Sequence, residues 1–257
     1  MMDLKELLVV IPHSGILVPE EISFGTLTGN FFELIKDVDW YTNWLYDFRG
    51  ILNNTQIEFP YCSLILEANR DPNILEDSVP LFNRSGVPYY RAGLEPDIKK
   101  RKLLAQKYLV PFHQEIGETI VRENKGFMLD AHSTVTARGM GDNQIELMNY
   151  QIQNNTKVPF CPDIFIEVYA EELTRRLPEV KVTVNESRYH SVYGHVCGKH
   201  SINSQGRVAN RVPAILQETN QKLYMDSDGK PNIEAIDTLR RAFAGALASM
   251  LKRVSRV

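Results

Sequence analysis

The sequence predicts an α/β fold in which a β-sheet is covered by helices on both faces. Short apolar runs, typical of buried strands, alternate along the chain with longer segments of helical periodicity. Of the 257 residues, 43% are hydrophobic, and a chain of this size and composition can bury a full core as one unit. We therefore expect residues 1–257 to form a single domain.

Six apolar runs are predicted strands, because each is short and ends in polar residues, glycine or proline. They are Glu6–Ile11, Cys62–Glu67, Gly126–Ala131, Asp163–Val168, Val180–Asn185 and Pro213–Gln217. The polar stretch Thr134–Pro162 is expected to be a loop over the functional site, and Tyr224–Lys230 is expected to be a turn.

Two segments have the clearest helical periodicity. The first begins near Asp97 and places apolar residues four apart on one face, namely Leu104, Tyr108, Phe112, Ile116 and Ile120. Pro111 lies inside this segment and is expected to kink the helix. The second segment opens after Pro231 and carries apolar residues at steps of three and four from Ile236 to Val254. We expect it to be a packing helix without a chemical role.

Composition and charge exclude several classes of function. The 29 basic and 32 acidic residues give a net charge of −3 and are mixed along the chain, which gives little support to nucleic-acid or anionic-membrane binding. No apolar run approaches the roughly 20 residues needed to span a bilayer. The three cysteines are widely spaced and do not suggest a disulfide framework. We expect a cytoplasmic protein with a small-molecule ligand; the sequence does not indicate its oligomeric state.

Two histidines stand where predicted strands end. His13 follows an apolar strand and precedes Ser14 and Gly15, and His132 follows another strand, two residues after Asp130. In open α/β sheets, ligands bind outside the carboxyl ends of the strands, so these distant side chains can meet there. Neutral imidazole is a standard zinc ligand. Alternatively, each histidine caps its strand end by hydrogen bonding.

A catalytic zinc site needs about three protein ligands and an open position for water. Asp37 and Asp39, which open a segment with helical character, offer a carboxylate, although both cannot face the same way on a helix. Glu20 and Glu21 remain alternatives. An acidic pair at a helix start can instead serve as a cap that interacts with the helix dipole.

Polar residues after two other apolar runs suit substrate binding and proton transfer. Asn69 and Arg70 follow one of them, and a guanidinium suits a substrate carboxylate because its fork binds both oxygens. Alternatively, Arg70 belongs to a turn that Pro72 fixes. Glu218 directly follows the last predicted strand and, beside a metal-bound water, can take its proton and pass it to a leaving amine. Alternatively, it is a glutamate on the rim of the site.

Arg138 and Arg211 are further candidate carboxylate contacts, with a solvated structural role as the alternative.

The histidines and cysteine of the stretch after residue 189 suggest a second metal site, but their spacing fits no common zinc finger. These residues are His190, His195, Cys197 and His200. A glycine-flanked loop, in which His195 or His200 touches the substrate, is the favoured interpretation. Gly194–Lys199 is one residue short of a phosphate loop, so we reject nucleotide binding.

Six short motifs, taken in order, resemble the N-formylglutamate amidohydrolases. They are Pro12-His-Ser-Gly15, Asp37-Val-Asp-Trp40, Asn69-Arg-Asp-Pro72, Pro111-Phe-His113, Asp130-Ala-His-Ser133 and Gln217-Glu-Thr-Asn-Gln-Lys-Leu-Tyr-Met225. The resemblance covers about residues 8 to 226. That family is similar to the zinc carboxypeptidases, which implies a zinc-carboxypeptidase-like three-layer α/β/α sandwich around a mixed, mostly parallel sheet. It also implies one divalent metal, with zinc expected.

The resemblance assigns roles position by position. It implies that His13, His132 and Asp39 bind the metal and that Glu218 is the general base; Asn69 with Arg70 would match a carboxylate-binding pair. Asp130 becomes a candidate for orienting a ligand or a water molecule. The implied reaction is hydrolysis of the amide bond of an N-acyl amino acid by metal-activated water, with N-formyl-L-glutamate expected to give formate and glutamate.

Two departures from the family pattern fall near the expected substrate pocket. Glu67-Ala68 stands where Asp-Leu is expected, and Gly194-His195 stands where two glycines are frequent. They leave hydrolysis intact but leave the acyl amino acid open. The alternatives are a deacylase for another acyl amino acid or a small carboxypeptidase with the same metal site, and a non-catalytic domain that binds a small carboxylate.

Overall fold

The computed structural model describes residues 6–35, 38–135, 140–153, 155–186, 194–202 and 211–255. Its eight strands are β1 (Leu7–Ile11), β2 (Thr55–Glu58), β3 (Phe127–Thr134), β4 (Gln144–Met148), β5 (Tyr150–Gln153), β6 (Thr156–Pro159), β7 (Lys181–Val184) and β8 (Ala214–Asn220). Six of them form one sheet in the order β2-β1-β3-β8-β4-β7, and β5 pairs with β6. Within the six-stranded sheet, only the β4–β8 pair is antiparallel. The expected mixed, mostly parallel sheet is confirmed.

Helices pack on both faces of this sheet. They are α1 (Gly29–Leu34), α2 (Thr42–Leu45), α3 (Leu75–Ser78), α4 (Ile98–Leu104), α5 (Val110–Arg122), α6 (Asp163–Arg176), α7 (His195–His200) and α8 (Ile233–Val254), with short 3₁₀ segments at Phe24–Thr26 and Gln221–Leu223. No described helix is both long enough and apolar enough to cross a membrane.

Strand β1 shows why two helical layers are needed. All five of its residues are buried. Leu7, Val9 and Ile11 belong to the core that α6 and α8 share, whereas Leu8 and Val10 belong to a second core with α4 and α5. Because successive side chains of a strand point to opposite faces, a continuous apolar strand must be covered on both. The three-layer α/β/α arrangement follows from this pattern.

Two predicted strands are wrong. Cys62–Glu67 forms turns, in which the N–H groups of Ile65 and Leu66 each lie 3.0 Å from the carbonyl oxygen of Cys62. Its apolar residues are buried in the core between the sheet and α5. The apolar pattern therefore indicated that the segment is buried, but not that it pairs with another strand. Asp163–Val168 is the first part of α6, because a short apolar run does not distinguish a buried strand from a buried helix.

The predicted loop Thr134–Pro162 is also wrong in part, since it contains β4, β5 and β6. β4 was not predicted as a strand because it contains polar residues. Glu146 in its middle is fully buried, and it accepts hydrogen bonds from the Thr183 hydroxyl and from the backbone N–H of Glu186. A buried carboxylate with such donors fits inside a sheet, but the donors come from a distant strand that the local sequence does not reveal.

Other predicted elements are confirmed. β1, β3, β7 and β8 overlap four of the predicted strands, although β3 and β8 each continue three residues further, and α8 follows Pro231 as expected. β2 was not predicted. The helical segment from residue 98 to 122 is interrupted before Pro111 by a π-helical turn over Ala105–Leu109. This turn starts a new hydrogen-bonding register, so Pro111, which has no N–H, falls in the first turn of α5.

The loop after β1 lies directly on the segment after β2. The Leu17 N–H donates to the carbonyl oxygen of Pro60 at 3.0 Å. A Cβ on Gly15 would lie 2.2 Å from the carbonyl carbon of Pro60 and 2.4 Å from the carbonyl oxygen of Phe59. Only glycine fits here, and this contact fixes the position of His13, two residues earlier.

We predict that Gly15→Ala lowers the free energy of unfolding by about 1–3 kcal/mol, because the methyl group meets backbone atoms that cannot turn away. Urea unfolding measures the change. Gly29→Ala is the matched control, since a Cβ there meets nothing within 4 Å. Its change should stay within about 0.5 kcal/mol. Equal changes in the two variants would contradict the close approach.

Candidate metal centre and active site

Three parallel strands bring candidate residues to one edge of the sheet. β1, β3 and β8 are neighbours and run in the same direction, so their carboxyl ends lie together. His13 follows β1, His132 lies on β3, and Glu218 lies on β8 directly opposite His132. Because paired residues of neighbouring strands face the same side of a sheet, the side chains of His132 and Glu218 point in the same direction.

Asp39 reaches this edge from the turn before α2. Its Oδ2 accepts the backbone N–H of Ser133 at 3.0 Å. On either side of it, the carbonyl oxygens of residues 38 and 40 accept hydrogen bonds from the Gln221 amide at 2.8 Å and the Tyr224 hydroxyl at 2.9 Å. These contacts tie the turn to the segment that follows β8, so the fold fixes where the carboxylate lies.

The three side chains converge on one point. Nδ1 of His13 lies 3.1 Å from Nδ1 of His132, and Oδ2 of Asp39 lies 3.5 Å from each of these nitrogens. Two imidazoles and a carboxylate form a ligand set that zinc uses in catalytic sites. In the part of the chain that the structure describes, this is the one group of three or more such side chains placed to hold a metal ion.

The structure also decides between the other candidate carboxylates that it describes. Glu20 and Glu21 both accept hydrogen bonds from the Lys107 ammonium, at 2.6 and 2.7 Å, and do not belong to the converging group. They are therefore corrected from ligand candidates to partners of a surface lysine. Asp37 lies outside the described residues.

A second carboxylate orients each histidine. The Nε2 of His13 contacts Oε1 of Glu67, and the Nε2 of His132 lies 2.9 Å from Oδ1 of Asp130, which is completely buried. When each Nε2–H donates to its carboxylate, each Nδ1 lone pair faces the common point. Asp130 was a sequence candidate for this role. Glu67 was missed, although a carboxylate standing where the family pattern has Asp was a usable signal.

These contacts raise the pKa values of the two histidines and lower those of Asp39 and Glu67. Burial lowers the pKa of His13, but the carboxylates of Glu67 and Asp39 outweigh it and raise that pKa to about 9. Burial likewise lowers the pKa of His132, and Asp130 and Asp39 raise it well above its usual value. Burial raises the pKa of Asp39 and of Glu67, but the two histidines hold the pKa of Asp39 below its ordinary range, and His13 with Arg70 does the same for Glu67. The buried negative charge therefore favours a cation at this place, either protons on the imidazoles or a metal ion that displaces them.

A cavity of about 860 Å³ opens beside the converging group. Its wall includes Glu218, Arg70, Arg84, Tyr89 and Leu216. The Nη1 of Arg70 donates to the carbonyl oxygen of Asn69 at 2.7 Å, which fixes the guanidinium in this wall. The volume suits a small-molecule ligand.

The other predicted contacts are placed differently. Arg138 and His190 lie outside the described residues. Arg211 does not line the cavity; it lies near His200, whose pKa its charge helps to lower. Its role as a substrate contact stays a prediction.

The described members of the suggested second cluster do not form a metal site. His195 and His200 on α7 pack against His113, with ring centroids 4.6 and 5.6 Å apart, and neither lines the cavity. Burial and the neighbouring positive charges lower the pKa of His200 to about 3, so this histidine stays neutral. Cys197 is buried, and its thiol forms a hydrogen bond with the carboxylate of Asp130. The interpretation of His195 or His200 as substrate contacts gains no support from this packing.

Comparison with known proteins agrees with this geometry. The family model described as N-formylglutamate amidohydrolase matches residues 5–225. Curated N-formylglutamate deformylases of Pseudomonas aeruginosa and Pseudomonas putida are 25% and 24% identical over 236 residues, which cover 86% of this chain and 82% of each relative.

Two solved structures share the fold. An N-formylglutamate amidohydrolase from Ralstonia eutropha has a TM-score of 0.66 at 19% identity and covers 100% of this chain and 96% of its own. A protein from Agrobacterium tumefaciens has a TM-score of 0.66 at 15% identity and covers 98% of this chain and 90% of its own. Since the family model spans most of the sequence, from before β1 to beyond β8, the chain belongs to the N-formylglutamate amidohydrolase family, a family of amide-hydrolysing enzymes.

Proposed function

We propose that residues 1–257 form one catalytic domain, a metal-dependent hydrolase that converts N-formyl-L-glutamate and water to formate and glutamate in the cytoplasm. The names of the relatives support the substrate. The observation that carries the metal site is the convergence of Nδ1 of His13, Nδ1 of His132 and Oδ2 of Asp39 beside Glu218. Zinc fits this donor set best, because it favours imidazole nitrogen and carboxylate oxygen in catalytic sites with one open position.

A divalent metal held by these three residues supplies Lewis-acid chemistry, polarising a carbonyl oxygen and making water a better nucleophile. Asp130 and Glu67 keep the two imidazoles in the tautomer that leaves Nδ1 available. The Ser133 N–H on Oδ2 of Asp39 fixes the third ligand. The protein thus provides the ligands in advance and holds them by its own hydrogen bonds.

Glu218 moves the proton. Its side chain faces the cavity on the same side of the sheet as His132. As water attacks the formyl carbon, Glu218 accepts a proton from the water. When the C–N bond breaks, it passes that proton to the amine nitrogen, which leaves as glutamate. The hydroxyl left by the water stays on the formyl carbon as formic acid, which ionises to formate and gives its proton to the released amine.

Arg70 binds a carboxylate of the substrate. Its guanidinium lies in the cavity wall, where a planar fork can hold both carboxylate oxygens. Arg84 lies in the same wall and offers a second cation. Two arginines suit a substrate that carries two carboxylates, as N-formyl-L-glutamate does. Glu76 and Asp77 also line the cavity, so a substrate group with a further negative charge would be repelled near them.

We predict that His132→Ala loses most of the metal found in the wild-type protein, because one of three ligands is removed. Elemental analysis of the purified proteins after dialysis measures this directly. His200→Ala is the matched control, a buried histidine outside the converging group, and its folded fraction should keep the wild-type metal content. Equal metal content in the wild type and His132→Ala would overturn the assigned site.

Glu218→Gln should lower kcat for formylglutamate hydrolysis by about 10²–10⁴-fold, since the amide cannot accept the proton. Metal content and KM should change little, because Glu218 is not assigned to either. Steady-state kinetics and metal analysis provide the comparison, with the exposed Glu115→Gln as a control that leaves both unchanged. Wild-type kcat in Glu218→Gln would show that another group moves the proton.

Substrate profiling separates the proposed function from its alternatives. Among formyl-, acetyl- and succinyl-amino acids, formylglutamate should have the highest kcat/KM, and Arg70→Ala should raise its KM while affecting kcat less. Clear turnover of another acyl amino acid beside none of formylglutamate would point to a different deacylase. Tight binding without hydrolysis in the zinc-loaded protein would point to a non-catalytic carboxylate-binding domain.

A further inference from the structure

We infer that Asn69 is a positioning residue, which holds the two carboxylates that orient the metal-binding histidines. The family resemblance pairs Asn69 with Arg70 as carboxylate ligands, and both residues line the cavity; the contacts of Asn69 give it this further role. This inference rests on the proposed function in one respect, since it takes His13 and His132 to be metal ligands.

The orientation of the Asn69 side chain is fixed. The residue is only 3% exposed. Its Oδ1 accepts the backbone N–H of Val196 at 2.8 Å. A backbone N–H can only donate, so the atom that faces it must be the amide oxygen. The amide nitrogen therefore faces the opposite way, toward β3.

On that side, Nδ2 of Asn69 contacts Asp130, the carboxylate that orients His132. It lies 3.4 Å from Oδ2 of Asp130 and 3.0 Å from Nε2 of His132, while Oδ1 of Asp130 lies 2.9 Å from the same Nε2. Two donors cannot bond to each other, so when the Nε2–H of His132 donates to Asp130, Nδ2 donates to the second oxygen of that carboxylate. Asp130 is then held at both oxygens, and the Nδ1 of His132 is left for the metal.

The backbone of Asn69 reaches the other histidine. Its N–H donates to Oε1 of Glu67 at 3.0 Å, and this is the oxygen that contacts Nε2 of His13. Its carbonyl oxygen accepts the N–H of His195 at 3.0 Å and so joins the start of α7. One residue thus contacts both orienting carboxylates and ties them to a helix.

Metal affinity and steady-state kinetics together test this inference. Asn69→Ala should weaken zinc binding about 10–100-fold, measured by competition with a chelator, because the partner of a ligand is no longer held. With zinc in excess, kcat for N-formyl-L-glutamate should fall, because the partner that fixes the tautomer of His132 is no longer held. Asn73→Ala is the matched control, an exposed asparagine whose amide bonds to neighbouring Asp71 at 2.9 Å, and it should change neither quantity.

A double-mutant cycle tests the route of the effect. If the Asn69 side chain acts through Asp130, zinc affinity in Asn69→Ala/Asp130→Ala should equal that in Asp130→Ala alone. Additive losses would overturn the proposed route. Should Asn69→Ala not fold, Asn69→Ser is measured with the same expected results.

Two further outcomes separate this inference from the proposed function. Unchanged zinc affinity in Asn69→Ala, with a KM raised more than 10-fold, would identify a substrate ligand and overturn the inference alone. Absence of zinc binding in the wild type would overturn both. Failure of the wild type to hydrolyse formylglutamate, with zinc affinity still lost in Asn69→Ala, would overturn the assigned substrate and leave the positioning role supported.

Discussion

The site depends on two contacts between imidazole and carboxylate, a partly buried one from His13 to Glu67 and a buried one from His132 to Asp130. Without these partners, two histidines with Nδ1 atoms 3.1 Å apart would have no fixed proton arrangement. With them, both lone pairs are directed at the point where Oδ2 of Asp39 also lies. Preorganisation of this kind removes the cost of gathering ligands when a cation binds.

The sheet explains how residues so far apart in sequence meet. Placing β1, β3 and β8 side by side and parallel puts His13, His132 and Glu218 at a common edge. Tyr46 secures this arrangement from the other layer: its hydroxyl donates to the carbonyl oxygen of His132 at 3.0 Å and lies 2.8 Å from the hydroxyl of Thr219, so it bridges β3 and β8. The ring of Tyr46 stacks on Phe243 of α8, which couples the position of the catalytic edge to the packing of the core.

The sequence was informative where local pattern and chemistry coincide. His13 and His132 stand at the ends of apolar strands, and β1, β3 and β8 were predicted from their composition. The strand predictions were wrong where a residue is buried for a reason other than its place in an apolar strand. The apolar residues of Cys62–Glu67 pack in the core between the sheet and α5, and the charged Glu146 lies inside β4 because it has donors from β7 and from the residues after it. The orienting role of Glu67 depends on a turn that brings it to His13, and no local periodicity encodes that contact. The position of Arg211, beside His200 and away from the cavity, likewise depends on long-range packing.

A crystal structure of the zinc-loaded protein, with the metal located by its anomalous scattering, tests the central claim most directly. The account predicts one zinc at the carboxyl edge of β1 and β3, bound by Nδ1 of His13, Nδ1 of His132 and a carboxylate oxygen of Asp39. The Zn–N distances should be about 2.0–2.1 Å. Both Nε2 atoms should stay on the carboxylates of Glu67 and Asp130. Zinc at another place, or coordination through either Nε2, would contradict it.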